Sequence, residues 1–237
     1  MLTATRRQWR ERDFCLGAVD AGAVYDRACR IDYAAPGFCL IDFGVEFDSL
    51  RLRRAMLELI EGLRRIHAER RSRELVVVSA GRFDQQTTTK FHRDGGPEES
   101  LLILGYEPTP VRAELAMADY SRGAADLGLT PAEFLHAHNP MYAEGAQLLE
   151  PYTTPVACFS NERWQILVIN NSEAQHSTGN PTWQGVLHTA KILNPDPSLR
   201  RVVNSVMVAS AEPSAASPVS DAELDEFATP AAVRVRR

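Results

Sequence analysis

Seven short, largely apolar runs recur along the chain, at Phe38–Phe43, Glu74–Ser79, Leu101–Leu104, Val156–Phe159, Trp164–Ile169, Gly185–Ile192 and Arg201–Val208. Runs of this length, rich in Val, Ile and Leu and bounded by Gly, Pro and polar residues, predict strands. Against them stands one long helical stripe: Leu52, Met56, Leu59, Ile60, Leu63 and Ile66 recur at helical spacing with Arg and Glu between them. Asp48 and Ser49 precede the stripe and can cap the helix. The chain is therefore expected to be mainly β with supporting helices, the stripe facing a core. His67, near the helix end, is expected to be solvated or to cap rather than to ligate.

At 237 residues and 44% hydrophobic content the chain can bury a substantial core. It is expected to form a single domain over residues 1–209, with helical support in 1–72 that begins with a helix carrying Arg6, Arg7, Arg10 and Arg12. From residue 113 to about 152 the pattern turns Ala-rich and helix-compatible, as an insertion between strands would. Within it Thr130-Pro131-Ala-Glu133 is a strong helix start, with Thr130 as N-cap and Glu133 completing a capping box. Residues 210–237, rich in Ala, Ser, Pro and Glu, are expected to be poorly ordered.

The formal charge of −5 offers no basic footprint for nucleic acid or a membrane surface. No apolar run approaches the roughly 18 residues of a membrane span, and the charged start of the chain lacks a signal-peptide stretch. Cys15, Cys29, Cys39 and Cys158 show no CxxC spacing and suggest neither a zinc site nor a disulfide framework, so a reducing, cytoplasmic location is expected. Oligomeric state is not written in the sequence.

Chemistry concentrates in two places. His92-Arg-Asp94 follows a strand-like run, and on a strand residues i and i+2 project to one side. His188 lies 96 positions later (188 − 92) in an apolar strand, where an unpaired imidazole would be costly to bury. Two imidazoles and one carboxylate on one side of a metal are what a non-haem iron(II) centre needs, with other positions open for co-substrate and dioxygen. A long connection between such ligands suits a barrel closed by a Greek-key path. Arg200 and Arg201 begin the strand after His188, and Ser205 shares the face of Arg201. A guanidinium pairs bidentately with a carboxylate, as the distal end of a bound 2-oxoglutarate requires; Arg201 is the first choice.

On His92-Arg-Asp94, Gly185-Val-Leu-His188 and Arg200-Arg201 followed by a Val-rich strand with Ser205, the chain resembles the 2-oxoglutarate/iron(II)-dependent dioxygenase superfamily. The resemblance spans roughly residues 75–208. It implies a double-stranded β-helix, the jelly-roll or cupin-like barrel, with helices packed on its N-terminal side. It also implies iron(II) held by His92, Asp94 and His188, and 2-oxoglutarate paired with Arg201 or Arg200 and assisted by Ser205. The implied reaction is hydroxylation or another oxidation of a small-to-medium organic substrate by dioxygen, with 2-oxoglutarate decarboxylated to succinate. The Arg-x-Ser signature of some branches is replaced by Arg201-Val-Val-Asn-Ser205, and Asp94 stands where the halogenating branch has a small residue.

Other residues compete for these roles. His176, in a polar loop, is an alternative distal ligand. His136 and His138 have HxH spacing but sit on a predicted helix, where i and i+2 do not share a face. Trp164 and Trp183 are expected in barrel packing, and Lys90 and Tyr106 are pocket-lining candidates without an assigned role. The 113–152 insertion, with Met117, Tyr120, Asn139, Met141 and Tyr142, is a candidate substrate lid or simply an edge cover. Two rivals remain to the oxygenase expectation: a cupin-like metalloenzyme that does not use 2-oxoglutarate, and a barrel that binds without catalysis.

Overall fold

The computed structural model describes residues 15–173, 182–229 and 233–235. In chain order the elements are β1 (Cys15–Leu16), α1 (Ala21–Ala28), β2 (Phe38–Asp42), α2 (Ser49–Arg71), β3 (Glu74–Asp84), β4 (Ser100–Tyr106), β5 (Ala113–Ala118), α3 (Tyr120–Asp126), α4 (Pro131–Ala137) and α5 (Ala143–Leu149). There follow β6 (Thr153–Pro155), β7 (Gln165–Asn170), β8 (Leu187–Ile192), β9 (Val202–Ala211), α6 (Asp221–Ala228) and β10 (Arg234–Val235). Seven strands form one sheet in the order β1-β2-β7-β4-β9-β3-β10, and three form a second in the order β6-β5-β8. The protein is β-rich, with helices added to both sheets.

The central strands read as continuous apolar runs because both of their faces are covered. On β4, Leu101 and Ile103 face α2, joining Leu52, Met56, Leu59 and Leu63 of the helical stripe in one core. The alternate residues Leu102, Leu104 and Tyr106 turn the other way and meet Leu115 and Met117 of the three-stranded sheet. The two sheets thus face each other across an apolar layer. Each fully buried Leu or Met contributes on the order of 1.5–3 kcal/mol relative to exposure. At its start α2 is capped as the sequence suggested, Arg51 N–H donating to Asp48 Oδ1 at 2.8 Å. Gly105 lets α2 lie close, since a Cβ there would come within 2.6 Å of Met56 Sδ.

His67 corrects an expectation. It extends the stripe by one turn beyond Leu63 and is fully buried. Its ring shares hydrogen bonds with Tyr25 Oη at 2.9 Å and Ser210 Oγ at 3.0 Å, and packs edge-on to Trp183. Burial, then the nearby Arg71 and Arg73 charges, pushes its pKa down to about 4. The folded state therefore favours the neutral ring. Its contribution is complete above the unfolded value near 6.5 and is lost as pH falls from there toward 4. In urea unfolding, His67 alone should account for roughly 3 kcal/mol of lost stability at the acid end of that window. The His67→Gln variant should lose that part of the slope and keep the part due to His188, which is shifted the same way, and an equal slope in both proteins would refute the assignment.

Several boundaries differ from expectation. Ala113–Ala118 is strand β5, not the start of a helical insertion; it pairs with both β6 and β8. The helical part is α3–α5, and α4 carries the expected capping box from Thr130 and Glu133. Residues 156–159 form a turn after the short strand β6 rather than a strand. The expected helix with Arg6, Arg7, Arg10 and Arg12 lies outside the described residues. The chain beyond residue 209 is not featureless: α6 packs Phe227 into the core beside α2 and β3, and β10 pairs in parallel with β3. Among the described residues, no helix is long and apolar enough to cross a membrane.

The cysteines give the plainest correction. Cys15 and Cys158 are joined in a disulfide across 143 positions, leaving Cys29 and Cys39 free. The bond ties β1, at one edge of the larger sheet, to the turn following β6, at one edge of the smaller sheet. The premise for a reducing location is therefore removed, because such bonds persist in oxidising surroundings. Closing so long a loop should stabilise the fold by about 2–5 kcal/mol. The double variant Cys15→Ser/Cys158→Ser should show that loss as a lower urea midpoint; an unchanged midpoint would contradict it.

Candidate metal centre

From the end of β3 the chain crosses between the sheets and lies alongside β8. The polar Thr87-Thr88-Thr89 stretch makes this junction: Thr89 N–H donates to Ala190 O at 3.0 Å, and Ile192 N–H to Thr88 Oγ1 at 3.0 Å. Thr189 Oγ1 and Ala190 N–H add bonds to Thr89 O and Thr89 Oγ1. The pairing ends in a two-way antiparallel bridge, His92 N–H to His188 O at 3.1 Å and His188 N–H to His92 O at 2.9 Å. Directly opposed residues of an antiparallel pair project to the same side. The two imidazoles consequently lie together, with ring centroids 4.2 Å apart. Met117 of β5 stands opposite His188 on its other flank.

Leu187 and Phe91, the neighbours of the two histidines, turn to the opposite face. There they join Tyr120, Phe134 and Leu149 of the α3–α5 region. The helical segment thus backs the histidine strands rather than lying only over them. Met117, expected in a lid, is instead buried between the sheets. Gly185, three residues before His188, lets the chain pass close to Ser172, since a Cβ there would fall 1.8 Å from Ser172 O. Gly185→Ala is accordingly expected to lower both stability and metal affinity, read by urea unfolding and Mn(II) titration; wild-type values for both would contradict the close approach.

Asp94 completes the group. Its Oδ1 lies 3.4 Å from His92 Nε2, and one donor atom from each of His92, Asp94 and His188 falls within 4.8 Å of the others. Adjacent ligands at about 2.1 Å from a common metal ion would be roughly 3 Å apart, so the His92–Asp94 edge already approaches that spacing. All three residues are half-buried. Asp94 does not sit on a regular strand; Asn171, fully buried, holds its backbone on both sides.

The protonation pattern suits a cation. His92 Nδ1–H donates to Lys90 O at 2.8 Å, which directs the Nε2 lone pair of the neutral ring toward Asp94. The Asp94 carboxylate, more than any other neighbour, raises the His92 pKa, with burial opposing it. Burial first, and then His92, pushes the His188 pKa down to about 4, so that ring is neutral near pH 7. His188 Nδ1 is buried without a hydrogen-bond partner. Two imidazoles, that of His92 giving up its proton to a bound cation, and a carboxylate are a donor set that fits a first-row divalent metal.

A second polar feature lies on β9. Its alternate residues Val203 and Met207 face the layer between the sheets, and Ser205, opposite Leu104, shares that face. Arg201, immediately before β9, is 2% exposed. Its Nη1–H donates to Gln85 O at 3.0 Å, its guanidinium lies 5.3 Å from the Tyr106 ring centroid, and its Nη2 is buried without a partner. Among the described residues, no carboxylate forms an ion pair with it. Burial lowers its pKa, with Tyr106 and Asp84 offsetting the effect. Burial raises the Tyr106 pKa, with the Arg201 charge opposing and Asp94 adding to it. Arg200 is exposed.

The competing residues stand apart from this group. His138 ends α4 with its ring against Phe134, His136 lies on the same helix, and neither joins the metal-capable cluster. His176 lies outside the described residues. Trp183 packs among the helices on the far side of the larger sheet. Asn171 was not singled out from the sequence, where it is simply a polar residue after an apolar run.

No protein-family model matches the chain, and no curated protein matches it. Among solved structures, the chain is similar to a variant of the iron and alpha-ketoglutarate-dependent endoperoxidase NvfI, at 12% sequence identity and a TM-score of 0.36, covering 78% of this chain and 82% of that one. A TM-score of this size does not establish a shared fold.

Proposed function

We propose that the protein is an iron(II)- and 2-oxoglutarate-dependent oxygenase on a double-stranded β-helix, acting on a small-to-medium organic substrate. The observation that carries this reading is the pairing of a His92–Asp94–His188 donor cluster with a buried guanidinium, Arg201, that forms no ion pair among the described residues. Asp84 meets only the backbone N–H of Arg201, at 3.0 Å; a buried guanidinium with no ion pair of its own is costly, and a site that binds an anionic co-substrate gives it a reason to persist.

In this reading His92, Asp94 and His188 hold the metal, and the Lys90 carbonyl fixes the His92 tautomer. Arg201 receives the distal carboxylate of 2-oxoglutarate, Gln85 O and the Tyr106 ring hold the guanidinium in place, and Ser205 offers a hydroxyl on the same face. The apolar layer from Leu102, Leu104, Leu115 and Met117 excludes water. When bound, iron(II) supplies the redox chemistry by which dioxygen oxidises the substrate while 2-oxoglutarate is decarboxylated to succinate.

A cupin-like metalloenzyme working without 2-oxoglutarate would use the same three ligands but leaves Arg201 unexplained. Anaerobic iron(II)-loaded protein titrated with 2-oxoglutarate separates the two. A visible absorption band that saturates, and succinate release that His92→Ala abolishes, support the oxygenase. An unchanged spectrum and no succinate would overturn it.

A further inference from the structure

We infer that Asn171 is a positioning residue for the carboxylate ligand: its side-chain amide, rather than strand pairing, sets where Asp94 stands beside the two histidines. The inference rests on the metal-site reading above. Ladder pairing along this segment ends at the His92–His188 bridge, and Asp94 lies two residues beyond it. Asp94 N–H donates to Asn171 Oδ1 at 2.9 Å, and Asn171 Nδ2–H donates to Asp94 O at 2.9 Å. One planar amide therefore meets both backbone groups of the ligand residue, as a residue on a neighbouring strand would. Only Asn and Gln carry a donor and an acceptor on one such group.

The clamp is itself anchored. Asn171 is fully buried just beyond β7; its N–H donates to Ser100 O at 2.9 Å, and its Nδ2 also reaches Ser100 Oγ at 3.2 Å. Arg93, between the two ligand residues, donates from Nε to Asn171 O at 3.2 Å and from Nη2 to Gly96 O at 3.1 Å, and pairs with Glu173. The turn that follows Asp94 is thereby closed onto Asn171. It contains Gly95 and Gly96, whose backbones have the most freedom to lose. Without the amide, metal binding would have to order this segment, and the carboxylate would be presented less often in the ligating position.

The test is a double-mutant cycle on metal affinity. Mn(II) binding is read from the free-ion electron paramagnetic resonance signal for wild type, Asn171→Ala, Asp94→Ala and the double variant, with thermal unfolding as a check of folding. Asn171→Ala is expected to weaken Mn(II) binding by roughly 10–100-fold, the range for groups that orient a ligand. In the Asp94→Ala background the same change should matter by about twofold or less, since the residue acts through Asp94. An equal loss in both backgrounds, or none in either, would overturn the inference while leaving the metal site intact. Wild type binding Mn(II) no better than Asp94→Ala would instead remove the metal-site reading, and this inference with it. If Asn171→Ala does not fold, Asn171→Asp keeps the volume and the bond from Asp94 N–H but sets an acceptor against Asp94 O, and the same cycle is read with it.

Discussion

Alanine at position 188 is expected to weaken divalent-metal binding by roughly a hundredfold or more, since even groups behind a ligand are worth 10–100-fold. The metal-free fold should barely notice. His188 Nδ1 is buried without a partner, and an unsatisfied buried polar group costs about 1–3 kcal/mol. Removing the ring relieves that penalty and forfeits its packing against His92, so the two changes oppose each other. Urea unfolding with and without Mn(II) reads both parts at once. Metal at a hundred times its dissociation constant should stabilise wild type by about 2.7 kcal/mol, and the His188→Ala variant hardly at all. Equal stabilisation of the two proteins by the metal would remove His188 from the site.

His92, Asp94 and His188 are conspicuous because strand-like surroundings give such side chains no structural purpose. The bridge that opposes His92 to His188 was not visible, because its register is set partly by threonine hydroxyls, which follow no hydrophobic period. Asn171 was silent for a related reason: it works through its side-chain amide on another segment's backbone, and no local pattern marks that. His67 was legible after all, one turn beyond Leu63 on the apolar stripe, but its polarity drew attention from its position.

The misread elements have equally specific causes. Ala113–Ala118 is composed of good helix formers, yet pairing on both sides holds it as a strand, where tertiary context overrides propensity. The segment after β9 is low in apolar residues overall, but Ser220 and Glu223 cap α6, and Leu224 and Phe227 suffice to dock it. The disulfide partners are 143 positions apart, and which cysteines pair depends on which sheet edges meet. The apolar runs identified a β-rich chain; the contacts between its edges required the folded molecule.

Arg201→Met is expected to lower 2-oxoglutarate affinity by about 10–150-fold, from the roughly 1.5–3 kcal/mol carried by a hydrogen bond to a charged group. The same change should leave the ligand-free protein as stable as wild type or more so. A buried guanidinium with an unpartnered Nη2 is an electrostatic burden that a thioether of similar length does not impose. Arg201→Lys should retain the charge but lose the planar fork and its stacking on Tyr106, and fall between the two. Arg200→Ala, altering an exposed neighbour, should bind as wild type does. Calorimetric titration of 2-oxoglutarate into metal-loaded protein, beside urea unfolding of the free protein, tests all four forms. Loss of stability in Arg201→Met with unchanged 2-oxoglutarate affinity would mean that the guanidinium serves the fold, and the co-substrate reading would have to be given up.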